Sequence, residues 1–268
     1  MRAKKSFGQN FLVDERVIER IIGALDPRAG ETLIEIGPGR GALTAHLVER
    51  AGSLLAVEFD SDLIPLLRER FDGYHNFTLV EADALTVDLC ALVAPAAQAR
   101  IIANLPYYIS TAILQRLIEQ RRCLTEMVLM LQREVVQRIT APPGSSERGF
   151  LSVLVQAYWE TEALFDVAPG AFRPAPKVWS TVARLFVREQ SAASVSDHAL
   201  LWRIVSAGFA QRRKTMLNNL RHAPLDLRER IEKAGGAAAL LDASQIESQR
   251  RAETLTLEEW SRIARHLE

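Results

Sequence analysis

Apolar residues follow two rhythms along this chain. Short, nearly unbroken apolar runs predict buried strands at 32–36 (Thr-Leu-Ile-Glu-Ile), 53–58 (Ser-Leu-Leu-Ala-Val-Glu), 77–80, 100–103 and 124–131. Between them the spacing turns helical. One helix is expected across 41–51 and another through Leu63, Leu66, Leu67 and Phe71, with Asp60 or Ser61 as its cap. A third is expected over 111–121. Strands alternating with helices at this pitch predict an α/β fold with a mostly parallel sheet covered on both faces. The alternating run 159–167 reads as an edge strand and 181–187 as a further strand, so a hairpin could close the sheet. Residues 150–158 fit helix and strand alike. After the small polar stretch 190–196, which reads as a linker, the rhythm is helical only. His198–Phe209, Leu225–Ala234 and Leu257–Leu267 are predicted helices, the last opened by a Thr256/Glu259 capping box. The expected organisation is a sheet domain over 1–188 and a small helical domain over 189–268, without internal repeats.

Composition narrows the class. A chain of 268 residues with 48% hydrophobic positions can bury a sizeable core. Cys90 and Cys123 are too few for a disulfide scaffold and lack the spacing of a zinc site, and no metal is expected. No run of twenty apolar residues occurs, so no membrane span is expected. The basic start Met1–Lys5 leads into Ser6-Phe7-Gly8-Gln9-Asn10 without an apolar signal core, and a cytoplasmic protein is the expectation. Lysine plus arginine and aspartate plus glutamate each number 33, so net charge offers no simple argument for a nucleic-acid partner. The distribution is uneven, however. Residues 31–88 carry 4 basic and 11 acidic side chains, whereas 212–230 carry Arg212, Arg213, Lys214, Arg221, Arg228 and Arg230 against Asp226 and Glu229. A neutral protein can therefore present a basic face.

Candidate chemistry clusters where predicted strands end. Glu35-Ile36-Gly37-Pro38-Gly39-Arg40-Gly41 follows the first strand and opens a helix, where glycines let a ligand approach the backbone. Glu58 ends the second strand, where a carboxylate can accept from two ribose hydroxyls. A nicotinamide dinucleotide and S-adenosylmethionine both carry that ribose. Asp83 ends the third strand and can accept from an adenine amine, or cap a turn. The fourth runs into Asn104-Leu105-Pro106-Tyr107. The amide oxygen of Asn104 and the carbonyl of Leu105 could accept both N–H groups of an exocyclic amine. Pro106 would hold that carbonyl in place, and Tyr107 could stack on the base. This pattern suits a planar base amine better than hydride transfer.

These stretches resemble the KsgA/RsmA/Dim family of small-subunit rRNA adenine dimethyltransferases. The matching residues are Gly8-Gln9-Asn10-Phe11-Leu12, Glu35 to Gly41 with Leu43-Thr44, Ala56-Val57-Glu58 and Asn104 to Ser110. Gln132-Arg133-Glu134-Val135, Pro143-Gly144-Ser145, Phe172 to Val178 and Phe209 to Leu217 continue the match over nearly the whole chain. The resemblance implies a Rossmann-like S-adenosylmethionine-dependent methyltransferase domain. It implies that Gln9, Asn10 and Leu12 enclose the cofactor, Gly37 and Gly39 line it, Glu58 holds its ribose, and Asp83 with Ala84 addresses its adenine. Asn104, which would also border the cofactor, would hold the target amine with Leu105, Pro106 and Tyr107, and Phe172 would stack on the target adenine from the other side. Lys4, Lys5, Arg212, Arg213, Lys214 and Arg221 would contact RNA. The implied substrate is a pair of adjacent adenines in the 3′-terminal hairpin of 16S rRNA, within an immature 30S subunit, and a monomer is expected. Four positions depart from the family's common pattern: Arg40 where leucine is frequent, Ala112 where proline is, Glu147-Arg148-Gly149-Phe150 for tyrosine-glycine-arginine-leucine, and Trp179 where aspartate is frequent.

Methylation of an adenine amine needs acceptors for the charge that grows on its hydrogens, and neither a metal nor a nucleophilic cysteine. The competing readings are an Erm-like enzyme acting on 23S rRNA, a nicotinamide oxidoreductase, which would leave Asn104 to Tyr107 without a role, and a non-catalytic ribosome-assembly factor.

Overall fold

The computed structural model describes residues 9–188 and 197–268. Lys4, Lys5, Gly8 and the 190–196 linker lie outside the described residues. Contacts divide the chain into two units. The first holds the residues up to Val136 together with Thr161–Val187, and the second holds Gln137–Glu160 with the residues from Arg188 onward.

The first unit is built on the sheet. Strands β1 (Phe11–Leu12), β2 (Thr32–Ile36), β3 (Ser53–Glu58), β4 (Phe77–Glu81), β5 (Ala99–Asn104) and β6 (Leu124–Gln132) come first in the chain. They are followed by β7 (Trp159–Val167), β8 (Phe172–Arg173) and β9 (Ser180–Val187). Helices α1 (Glu15–Leu25), α2 (Thr44–Leu47), α3 (Ile64–Phe71), α4 (Leu89–Val93) and α5 (Ser110–Glu119) alternate with them, and α6 (Arg133–Ile139) runs on from β6. The seven-stranded sheet has the order β4-β3-β2-β5-β6-β9-β7, with β1 and β8 as a separate antiparallel ribbon. Pairs from β4 across to β6 are parallel, and β9 lies antiparallel to β6. The edge position expected of 159–167 is the one β7 occupies.

The apolar runs are explained by burial on both faces. Leu33, Ile34, Leu54, Ala56, Ile101, Ile102, Val128 and Leu129 are all inaccessible. The central strands β2, β3, β5 and β6 are therefore near-continuously hydrophobic, where a half-exposed sheet would alternate. Helix α1 presents Ile18, Ile21, Ile22 and Leu25 to the core, and the Asp14 carboxylate accepts from the amides of Arg16 and Val17 at its start. The expected Asp60 or Ser61 cap of α3 is not formed. The residue before α3 is Leu63, and it makes no side-chain cap. Asp60 instead accepts from Gln9 Nε2 at 2.7 Å and from the amide of Asp62. Cys90 and Cys123 form a disulfide, a local link between α4 and the turn before β6.

The second unit is helical. It contains α7 (Phe150–Tyr158), α8 (His198–Gly208), α9 (Met216–Arg221), α10 (Leu225–Lys233), α11 (Gly236–Ala243) and α12 (Leu257–Arg265). Residues 150–158, open between helix and strand on pattern alone, are helix. Leu151 to Val155, Ala157 and Tyr158 are all buried, which erases any helical stripe. Hydrogen bonds tie 137–160 to this unit: Gly144 N–H donates to the Glu253 carbonyl at 2.7 Å, and Arg212 donates to the Ser146 carbonyl. Arg148 is fully buried and donates to the Ala141 carbonyl and Gln156 Oε1, each at 2.7 Å. Burial lowers its pKa to about 10. The Thr256/Glu259 capping box is present at α12.

A side chain at Gly208 in α8 would overlap the buried ring of Trp260 and crowd Met216. Gly208→Ala gains helix propensity of up to about 1 kcal/mol, but the overlap outweighs it. A net loss of about 1–2 kcal/mol is expected in urea unfolding. A variant as stable as the parent would show that the Trp260 ring has room to move.

Candidate active site

In the seven-stranded sheet, β2 pairs in parallel with β3 on one side and with β5 on the other. Connections leaving the carboxyl ends of β2 and β5 diverge there, which opens a crevice at the switch point of the strand order. A cavity of about 290 Å³ occupies it. Every residue expected to bind cofactor lines this cavity: Gln9, Asn10, Leu12, Gly37, Gly39, Glu58, Asp83, Ala84 and Asn104. Leu105, Pro106 and Tyr107 line it too. Glu35, Phe59, Asp60 and Tyr108, to which the sequence reading gives no ligand role, also face it.

One wall is the glycine turn. Gly39 has φ of 60°, and a Cβ there would stand 3.3 Å from the Phe11 ring. Only glycine supplies that conformation and that close approach without strain. Its N–H donates to Glu58 Oε2 at 3.0 Å, while Oε1 accepts from the amides of Phe59 and Asp60 at 3.0 and 2.9 Å. Glu58 is thus held at the end of β3 by three backbone donors. A carboxylate offers about four acceptor positions, so about one remains open for a ribose hydroxyl. Burial raises its pKa, and the three amides oppose that shift. Arg40 lines the cavity with its guanidinium carbon 4.5 Å from the centre of the Phe11 ring.

The opposite wall follows β5. Asn104 Nδ2 donates to the Asn10 carbonyl at 3.3 Å, which orients the side-chain amide. The Leu105 amide donates to the Met130 carbonyl of β6. The Tyr107 phenol lies 2.6 Å from Ser180 Oγ at the start of β9, which fixes the ring, and burial raises the phenol pKa. Asp83 Oδ1 accepts from the Leu85 amide at 2.9 Å, so this carboxylate organises the local turn as well as lining the cavity.

Phe172 departs from expectation. It pairs with Leu12 across the β1–β8 ribbon, is fully buried in the apolar core and does not line the cavity. No ring face is open for a base in this arrangement. Of this cross-strand pair it is Leu12 that lines the cavity. Arg212, Arg213, Lys214 and Arg221 are exposed, in the second unit, on the turn before α9 and at its end.

The donor set suits the expected cofactor. Glu35, Glu58, Asp60 and Asp83 face the cavity, and Arg40 is the one basic residue lining it among the described residues. An acidic enclosure favours a ligand carrying a sulfonium and an ammonium. Four of the 11 acidic side chains of segment 31–88 face the cavity.

Glu35 is fully buried and accepts from Thr44 Oγ1 at 2.6 Å. Burial, with Glu58 adding to it, pushes its pKa from 4.5 to about 8. The folded protein therefore keeps a proton that the unfolded chain releases above pH 4.5. Stability contributed by this group declines as pH rises from 4.5 towards 8. Glu35→Gln should flatten that decline in denaturant titrations across the same window. Parallel slopes for parent and variant would contradict the assignment.

Comparison with known proteins agrees with this geometry. A family model described as ribosomal RNA adenine dimethylase matches residues 1–263. A ribosomal RNA small subunit methyltransferase A from Hahella chejuensis is 43% identical over 98% of this chain and 92% of its own length. Another, from Aromatoleum aromaticum, is 50% identical over 82% of each chain. Among solved structures, the 23S rRNA methyltransferase ErmE aligns with a TM-score of 0.69 at 27% identity, covering 96% of this chain and 99% of that one. A dimethyladenosine transferase from Plasmodium falciparum shares the fold, with a TM-score of 0.77 at 22% identity over 94% of this chain and 95% of its own. These matches favour a methyltransferase over an oxidoreductase, and the fold is that of a Rossmann-like methyltransferase. The chain belongs to the ribosomal RNA adenine dimethylase family.

Proposed function

We propose that this enzyme methylates N6 of two adjacent adenines in the 3′-terminal hairpin of 16S rRNA, giving N6,N6-dimethyladenine, and that it acts as a cytoplasmic monomer on the immature 30S subunit. The observation that carries this reading is the pair of facing walls, with Glu58 and the glycine turn on one side and Asn104 to Tyr107 on the other. Bound S-adenosylmethionine supplies an activated methyl group on a cationic sulfur.

The residues divide the remaining work. Glu58 holds the ribose, and Asp83 with Ala84 faces the adenine of the cofactor. Gln9, Asn10 and Leu12 cover it. Because the Asn10 carbonyl takes the Asn104 amide N–H, the Asn104 Oδ1 is left to accept from the target amine. With the Leu105 carbonyl it stabilises positive charge growing on the amine hydrogens as nitrogen pyramidalises. The target adenine must leave its stack, and Tyr107, held by Ser180, offers a ring face in exchange. Holding amine and methyl in line supplies much of the rate. Once nitrogen is methylated its proton is strongly acidic, so the cavity does not need a dedicated base. Phosphate contacts from Lys4, Lys5, Arg212, Arg213, Lys214 and Arg221 would hold the RNA, and association should weaken as salt rises.

With undermethylated small subunits as substrate, Asn104→Ala should lower methyl transfer by about a hundredfold or more, the range seen when one such acceptor or donor is removed. Cofactor affinity measured by calorimetry should remain largely intact. Full turnover by a folded Asn104→Ala enzyme would defeat the amine clamp. Glu58→Ala should weaken the calorimetric affinity for S-adenosylmethionine, and unchanged affinity would reject its ribose role. Arg213→Ala should reduce RNA association and leave cofactor binding alone, whereas equal losses in both would point to misfolding.

A further inference from the structure

Trp179 stands one residue before β9, and residues 179 and 180 serve different ends. Ser180 is fully buried with its hydroxyl on Tyr107. Trp179 is 43% exposed and Val178 is 39% exposed. Of the chain's four tryptophans, Trp159 and Trp260 are buried and Trp202 is intermediate, so Trp179 is the one that solvent reaches most freely. Its backbone is firmly placed: the Trp179 carbonyl accepts from the Arg133 amide at 3.0 Å, next to the Gln132–Ser180 pair that ends the β6–β9 ladder. The Arg133 guanidinium lies 5.7 Å from the centre of a Trp179 ring. Its pairing with Asp166, at 3.9 Å between half-exposed side chains, is too long for a good hydrogen bond.

A surface indole beside a guanidinium matches the two parts of a nucleotide: a planar base to stack on, and a phosphate to hold. The place on the molecule makes the match specific. Tyr107, which Ser180 holds, is part of the cavity wall, and the 60% exposed Tyr108 belongs to the same wall. When an adenine leaves its stack to enter that cavity, its neighbour in the strand is left with one bare face. We propose that Trp179 and Arg133 form a second stacking platform, outside the cavity, for the nucleotide next to the target adenine. In a substrate with two adjacent adenines, the platform would hold one while the other is methylated. The proposal rests on the RNA reading above.

Two readouts test it. With undermethylated small subunits, Trp179→Ala should raise KM about tenfold, the loss of roughly one stacked base, with kcat and S-adenosylmethionine affinity unchanged. Trp179→Phe keeps a ring and should stay within about threefold of the parent, a smaller loss than removing the whole stack. Separately, a hairpin RNA bearing two adjacent unpaired adenines should quench the parent's tryptophan fluorescence, and Trp179→Phe should abolish most of that quenching. Unchanged KM in Trp179→Ala, or quenching that persists in Trp179→Phe, would overturn the platform. A phenylalanine variant as impaired as the alanine variant would reduce Trp179 to a structural role. A parent protein that shows the Trp179-dependent quenching yet methylates no small subunit would leave the platform standing and sink the functional reading alone.

Discussion

The parallel pairing of β2 with neighbours on both sides is the constraint from which the site follows. Because β3 and β5 both run alongside β2 in the same direction, the chain must leave all three strands at one end of the sheet. The helices that follow go to opposite faces, and a crevice is left between the departing segments. Glu58, the glycine turn and Asn104 are separated by 19 to 67 positions in sequence, yet they meet there because each stands at a strand's carboxyl end. Ligand-binding backbone atoms are presented without unravelling the sheet.

Electrostatics then decides what fits. Four carboxylates around one small cavity would repel one another if all were charged and dry. The structure meets this cost in two ways. Three backbone amides donate to Glu58 and oppose the rise that burial gives its pKa, and Glu35 is kept protonated by burial around neutral pH. A cationic cofactor relieves what repulsion remains. The same acidic lining that makes the cavity costly in isolation favours a cationic ligand.

Much of this architecture is legible in the amino-acid sequence. The central strands announce themselves as apolar runs because both faces of a parallel sheet are covered, and their ends mark residues that line the cavity. What the pattern leaves open has physical causes. Helix α1 does carry a signal, since Ile18, Ile21, Ile22 and Leu25 recur at helical spacing behind an Asp14 cap. The ribbon β1–β8 has two residues per strand and no periodicity to read, so nothing in the sequence announces the burial of Phe172 against Leu12. Residues 150–158 are buried all round, and a helix without a polar face has no rhythm. Grouping of Gln137–Glu160 with the carboxy-terminal helices depends on contacts across about a hundred residues, such as Gly144 with Glu253, which local pattern does not encode. Asp60 has the type and the place of a helix cap, but Gln9 competes for its carboxylate.

On the proposed function, this crevice presses an activated methyl group against the amine of an unstacked adenine in ribosomal RNA. Incubating the enzyme with isotopically labelled S-adenosylmethionine and ribosomal subunits of both sizes, then mapping the labelled bases, addresses it directly. The account predicts two labels on N6 of each of two neighbouring adenines near the 3′ end of the small-subunit RNA. Label confined to large-subunit RNA, to another base or to a ring nitrogen would contradict it.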